Sequence, residues 1–156
     1  MSATSIRAAR PDDLSELLRL LEVAGLPASD LSASHIATFR VGPDGAGRLL
    51  GGVGLELAGQ AALLRSLVVA PEARGTGLGH ALVESALELA REHGVAEVWL
   101  LTTTADRFFE RLGWRRVERA TAPAGIRATA EFSTICPSSS VCMVRDLQGS
   151  RREVPA

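Results

Sequence analysis

The run Arg74-Gly75-Thr76-Gly77-Leu78-Gly79 lies between a β-branched apolar stretch ending at Val69 and apolar residues at helical spacing: Leu78, Leu82, Ala86 and Leu89. Three alternating glycines and an arginine at a strand-to-helix junction suit the holding of a phosphate. Close backbone approach to an oxyanion requires residues without side chains. The first turn of a helix adds N–H groups with no intrahelical partner, at the positive end of the dipole. Arg74 contributes a full charge. No Gly-Lys-Ser/Thr follows, which excludes a P-loop, and G-x-G-x-G is not the dinucleotide spacing G-x-G-x-x-G. A tight turn with no ligand would use the same glycines and remains the alternative for the glycines alone.

The elements that must position this loop are legible from periodicity. Ser5 to Ala9, Ala37 to Val41, Leu49 to Leu57, Ala61 to Val69, Glu97 to Leu101, Trp114 to Val117 and Val141 to Asp146 read as strands, with a hairpin at Gly59-Gln60. Helices are expected after Pro11-Asp12-Asp13, carrying Leu14, Leu17, Leu18 and Leu21 up to Gly25. Two more are expected, from Leu78 to a stop at His93-Gly94 and from Asp106 to Leu112. Residues 122–135 read as partly helical. The pattern is that of a single mixed α/β (α+β) domain over residues 1–156, with a core over about 5–146 and a flexible tail over 147–156.

Composition bounds the function. The 156 residues are 46% hydrophobic and 22% charged with a net charge of −1, which fits a globular chain and excludes a bulk basic face for nucleic acid or a membrane surface. No apolar run reaches the length of a membrane span and no signal peptide is apparent, so a cytoplasmic location is expected. Every basic residue other than histidine is Arg, and there is no Tyr. Cys136 and Cys142 are too few for a disulfide framework or a four-ligand zinc site. His35, His80 and His93 do not cluster in sequence, and no metal is expected. Trp99 and Trp114 fall in strand patterns and are expected in the core.

The segment Leu67-Val68-Val69-x-Pro71-x-x-Arg74-Gly75-x-Gly77-x-Gly79 resembles the acyl-CoA signature of the GNAT superfamily of N-acetyltransferases, whose core is R/Q-x-x-G-x-G/A. Phe108-Phe109-x-x-x-Gly113-Trp114 resembles that family's F-Y-x-x-x-G-F block. The resemblance implies a mixed, mostly antiparallel twisted sheet of six or seven strands, splayed between the fourth and fifth and flanked by helices. It also implies acetyl-CoA as co-substrate. The backbone of Leu67, Val68 and Val69 would hold the pantetheine, and Arg74, Gly75, Thr76, Gly77, Leu78 and Gly79 the pyrophosphate, with Phe108 and Phe109 also on the cofactor side.

Acetyl transfer to an amine needs a polarised thioester carbonyl, a base for the amine proton and a departing thiolate. By resemblance the Val69 N–H polarises the carbonyl. The family's fourth-strand glutamate falls at Leu63, so its usual base is missing. A two-residue turn at Gly59-Gln60 would set Glu56 opposite Leu63, on the face that also carries Arg65. Glu56 is therefore the expected base, acting through water; the alternatives are that it pairs with Arg65 or points to solvent. The family's acid, a tyrosine, falls at Phe109. A thiolate of pKa roughly 8.5 leaves tolerably without an acid, and Thr102, Thr103 or Thr104 offers a hydroxyl, Thr103 being the residue assigned.

LLRSLVVAPEARGTGLG, LLTTTADRFFERLGW and IRATAEFSTICPSSSVCM together resemble the small arsenic-resistance N-acetyltransferases, from Arg7 to Arg145. The resemblance implies as acceptor a small acidic amino acid or a toxic glutamate analogue of the arsinothricin or phosphinothricin kind. Arg suits oxyanions bidentately, and Arg65 and Arg127 are the expected substrate-binding residues, each with a plain structural role as its alternative. Arg115, Arg116 and Arg119 read as a solvated face. Rival readings are a non-catalytic acetyl-CoA sensor, an acetyltransferase of protein N-termini, and a metalloid-binding protein using the cysteines. By analogy with the superfamily, a homodimer is expected.

Overall fold

The computed structural model describes residues 5–147. Seven strands form one sheet in the order β1-β2-β3-β4-β5-β7-β6. They are β1 (Arg7–Ala8), β2 (Phe39–Pro43), β3 (Leu49–Ala58), β4 (Ala61–Val69), β5 (Glu97–Thr102), β6 (Arg115–Val117) and β7 (Val141–Asp146). The helices are α1 (Leu14–Val23), α2 (Leu78–Glu92), α3 (Asp106–Arg111) and α4 (Ala124–Arg127). The β1–β2, β2–β3, β5–β7 and β6–β7 pairings are antiparallel. The β4–β5 pairing is parallel and covers Ala61 to Leu63 against Glu97 to Trp99, while β4 runs on to Val69 and β5 to Thr102. The mixed sheet and its opening between the fourth and fifth strands are those the resemblance implied. Among the described residues no helix is long and apolar enough to cross a membrane.

The chain groups into two compact units. One comprises the chain through Glu56 together with Arg65–Leu89; the other comprises Leu57–Leu64 and the chain from Ala90 onward. In the first, Leu17, Leu21, Ile36, Phe39, Val41, Leu49 and Val68 form a buried cluster. A Cβ on Gly52 would meet Leu17 of α1, and one on Gly51 would meet Leu82 and Leu78 of α2 and lie 2.7 Å from the Val68 carbonyl. Successive strand residues face opposite sides, so α1 and α2 cover opposite faces of β3. Phe39 stands opposite Gly54 in the β2–β3 register and its fully buried ring fills the space a side chain there would need.

In the second unit, Ala61, Leu63, Trp99, Ala122, Ile126, Phe132, Cys142 and Val144 form the core, and both tryptophans are buried as expected. Residues 119–135 fold as a chain of short turns: a 3-10 turn, α4, and a π-turn over Glu131–Ile135. Arg119 departs from the solvated face expected of it. Its guanidinium donates to the carbonyls of Pro137 at 2.9 Å and Phe132 at 2.7 Å, and lies over the Phe132 ring. Arg116 does stay exposed, paired with Glu110 and Asp106. Leu147, expected to begin the tail, is buried and its N–H donates to the Ala96 carbonyl at 2.8 Å. The remaining tail residues, 148–156, lie outside the described residues.

A 3-10 turn over Ala33–Thr38 was not anticipated, because its apolar residues are too few to show a period. The Thr38 hydroxyl fastens it to β3 by donating to the Leu55 carbonyl at 2.6 Å. Gly54→Ala drives a methyl group into the Phe39 ring and is expected to cost ~1–3 kcal/mol, read as a lowered midpoint in urea unfolding with an unchanged m-value.

Candidate functional site

The glycine loop has the backbone its composition called for. After β4, Pro71 opens a 3-10 turn, Gly75 and Gly77 adopt left-handed backbone at φ +80° and +88°, and α2 begins at Leu78. Any side chain at these two positions would be strained by backbone conformation, although space is open around them. The Thr76 hydroxyl donates to the Ala73 carbonyl at 2.5 Å and ties the loop down. Arg74, Gly75, Thr76 and Gly77 are exposed, whereas Leu78 is buried and anchors the helix. The first intrahelical bond runs from the Ala81 N–H to the Gly77 carbonyl, so the N–H groups of the turn before it point out of the helix end. The first turn contains no acidic residue, so nothing there opposes an anion.

The strand leading into the loop is kinked. Ser66 is the one non-glycine residue with positive φ among those described, at +60°, and it is buried. In a regular strand, consecutive side chains face opposite ways. Here the Ser66 hydroxyl accepts a bond of 3.1 Å from Nε of Arg65, its neighbour, so the left-handed residue has brought both to one side. Past it, Val68 is buried while Leu67 and Val69 are half-buried.

Arg65, expected to bind substrate, lies with its side chain 0% exposed and engaged by carboxylates. Asp30 accepts from both Nη atoms, at 2.6 and 2.8 Å, and Glu56 accepts from Nη1. Glu56, the expected base, is thus paired with Arg65, one of the alternatives the hairpin left open, and its side chain remains 20% exposed. The Asp30 carboxyl is held below the usual carboxylate range, chiefly by the Arg65 hydrogen bond and against the opposing effect of burial. His35 joins this group, its Nε2 3.9 Å from Glu56 Oε2. Asp30, His35 and Glu56 each bring a ligand-type atom within 4.8 Å of the others, but Arg65 already supplies the positive charge between the carboxylates. Sequence reading missed Asp30 and His35. They stand in an irregular segment, and the one local signal is Ser32 three places before His35, a capping spacing.

In the second unit, Thr103 and Thr104 are exposed in the bend after β5, whereas the Thr102 hydroxyl accepts the Ala105 N–H at 2.9 Å and opens α3. Phe109 is buried edge-on between Phe108 and Trp114, with centroids 5.1 and 5.5 Å away. Arg127 is exposed and its Nε donates to the Ala122 carbonyl at 2.9 Å. Burial pushes the Cys142 thiol up to about 11, so it stays neutral in the core, while Cys136 is half-buried.

Residues 12–114 match the family model described as "Acetyltransferase (GNAT) family". The chain belongs to the acetyltransferase (GNAT) family. It is an N-acetyltransferase and is 33% identical over 146 residues to an uncharacterised N-acetyltransferase of Chlorobaculum tepidum, covering 89% of this chain and 91% of that one. It is 34% identical over 79 residues to an amino-acid acetyltransferase of Mycobacterium tuberculosis, half of this chain and 41% of that protein. In fold, the acetyltransferase is similar to N-acetylglutamate synthase from Neisseria gonorrhoeae, solved with coenzyme A and N-acetyl-glutamate: TM-score 0.81, 23% identity, 94% of this chain and 36% of that one. The chain therefore spans about a third of that synthase's length. A Mycobacterium tuberculosis protein solved with CoA shares the fold over 92% of this chain and 99% of its own, with TM-score 0.78 and 23% identity.

Removing the Arg65 guanidinium strands two carboxylates beside each other, so Arg65→Met is expected to cost about 3–5 kcal/mol, measured by urea unfolding at neutral pH. Asp30 sets an acid limb. Its folded pKa is depressed, so its contribution is complete above about pH 4 and is lost as pH falls through the lower folded value. Asp30→Asn is expected to flatten the stability profile over that range; an unchanged slope would show that the pair contributes nothing.

Proposed function

We propose that this N-acetyltransferase transfers the acetyl group of acetyl-CoA to the amino group of a small acidic amino acid, or of an arsenic- or phosphorus-containing glutamate analogue, the latter giving a role in arsenic resistance. The observation that carries the donor half is the loop of Gly75 and Gly77 in left-handed backbone, running into a helix whose first turn carries no acid. That arrangement fits a pyrophosphate: the amides of residues 74–79 and the helix end would hold it, with Arg74 exposed beside them. The left-handed kink at Ser66 and the backbone of Leu67 to Val69, beyond the last registered pair of β4 with β5, suit an extended pantetheine. The acceptor half is supported by the amino-acid acetyltransferase among the relatives and by the resemblance to the arsenic-resistance branch.

In the reaction the amine nitrogen attacks the thioester carbonyl carbon, the C–S bond breaks, and CoA departs as the thiolate. The Val69 N–H is assigned to the developing oxyanion. Glu56 receives the ammonium and takes its proton, directly or through water, helped by two carboxylates being set against one guanidinium among the described residues. Arg65 acts by holding Glu56 in place. The nitrogen loses its second proton as the C–S bond breaks; of the two protons released, one reaches the thiolate by way of solvent, with Thr103 the assigned hydroxyl donor, and the other passes to bulk water.

Free-thiol release from acetyl-CoA tests this directly against glutamate, aspartate, phosphinothricin, arsinothricin, a neutral amino acid and a short peptide. Turnover confined to the acidic acceptors is expected; turnover of the peptide or neutral amino acid alone would overturn the acceptor class, and acetyl-CoA binding with no turnover would favour a sensor. Gly77→Ala, strained at φ +88°, is expected to raise KM for acetyl-CoA by about tenfold or more, with kcat less affected. Glu56→Gln is expected to lower kcat by about 10²-fold or more.

A further inference from the structure

We propose that His35 determines acceptor specificity: its Nε2–H donates to the α-carboxylate of an amino acid whose amino group is received by Glu56. The inference rests on the assignment of Glu56 above and extends it to a residue that neither the glycine loop nor the family motif includes.

The first observation is the state of the ring. The backbone N–H of Ser32 donates to His35 Nδ1 at 3.2 Å. A backbone amide can only donate, so Nδ1 must present its lone pair and the ring N–H lies on Nε2. The second is its aim. The turn carrying His35 is fastened to β3 through Thr38 and Leu55, the residue before Glu56. That fastening leaves Nε2 3.9 Å from Glu56 Oε2. The gap is too long for a hydrogen bond. It does suit a ligand presenting a donor and an acceptor on neighbouring atoms, as the ammonium and carboxylate of an α-amino acid do.

The third observation is accessibility. The His35 and Glu56 side chains are 24% and 20% exposed, while that of Arg65 behind them is 0% exposed. Arg65, the residue expected to read a carboxylate, is wrapped by Asp30 and Glu56 and turned away from solvent. The half-exposed donor next to Glu56 is therefore the histidine. Among the described residues two carboxylates face one guanidinium here, which favours an ammonium at Glu56, and the Nε2–H of His35 beside it completes recognition of a zwitterion.

The test compares L-glutamate with 4-aminobutyrate, which lacks the α-carboxylate, in acetyl-CoA thiol release. The wild-type enzyme is expected to prefer glutamate in kcat/KM. His35→Asn keeps an acceptor for the Ser32 N–H but leaves no donor at the reach of Nε2. It is expected to lower kcat/KM for glutamate by about tenfold or more, through KM, and to leave 4-aminobutyrate unaffected. His35→Gln, which restores an N–H at similar reach, is expected to recover part of the preference. Equal losses on both substrates would overturn the proposal and reduce His35 to a turn cap. Wild-type enzyme that uses both substrates equally well would overturn it without any variant. Failure of the wild type on glutamate and every other acidic acceptor would sink the acceptor class and this inference together. Glu56→Gln at full activity would overturn the assignment of Glu56 and, with it, the placing of the amino group on which this inference rests.

Discussion

The first unit is organised around the buried charge of Arg65. A guanidinium with no exposure is tolerated only where its N–H groups are met and its charge is offset. For Arg65 those partners come from three parts of the chain: Asp30 in the turn after α1, Glu56 on β3, and Ser66 beside it on β4. Each partner is constrained in return. Asp30 fixes the irregular segment that leads to His35, and Glu56 is held at the surface of the group. Ser66, whose left-handed backbone breaks the alternation of β4 before the strand reaches the glycine loop, presents its hydroxyl to Arg65.

The loop and the cluster impose opposite electrostatics within that unit. The loop gathers N–H donors, an exposed arginine and a helix N-terminus, all favourable to anions. Around Arg65 the described side chains set two carboxylates against one guanidinium, with Nδ1 of the nearby histidine accepting from the Ser32 N–H. The proposed reaction, which holds a pyrophosphate and deprotonates an ammonium group, calls for both fields. The link between them is β4, whose side chains serve the cluster at Arg65 and whose backbone serves the loop side from Leu67 onward.

The second unit shows how a residue class misleads when read in isolation. Arg119 has the surroundings of a surface charge in sequence but acts as a staple, capturing two carbonyls and a ring face of the turn-rich segment. Such a segment has few backbone bonds of its own, so an arginine fork that accepts no bond and donates several is a suitable fastener. Phe109, at the position where the family carries its tyrosine, is locked edge-on between Phe108 and Trp114. It is packed there without a hydroxyl to direct.

Much of the fold was legible because its signals are local. Strands β4 and β7 fall on the residues that alternation and β-branching indicated, and α2 starts after Gly77 and ends near Gly94 as its glycines required. Glycine in a left-handed turn and apolar residues at fixed spacing are properties of neighbouring residues, so the donor-side loop could be read without the rest of the molecule. The Arg65 group could not. Asp30, His35, Glu56 and Arg65 are far apart in sequence, and no periodicity links them. Ser66 carries no glycine-like signal for its backbone, and parity could say only that Glu56 and Arg65 share a face. Whether that arginine meets a substrate or a carboxylate depends on what else is buried with it, and only the tertiary structure decides that, because the cost of burying a charge is set by its neighbours in space.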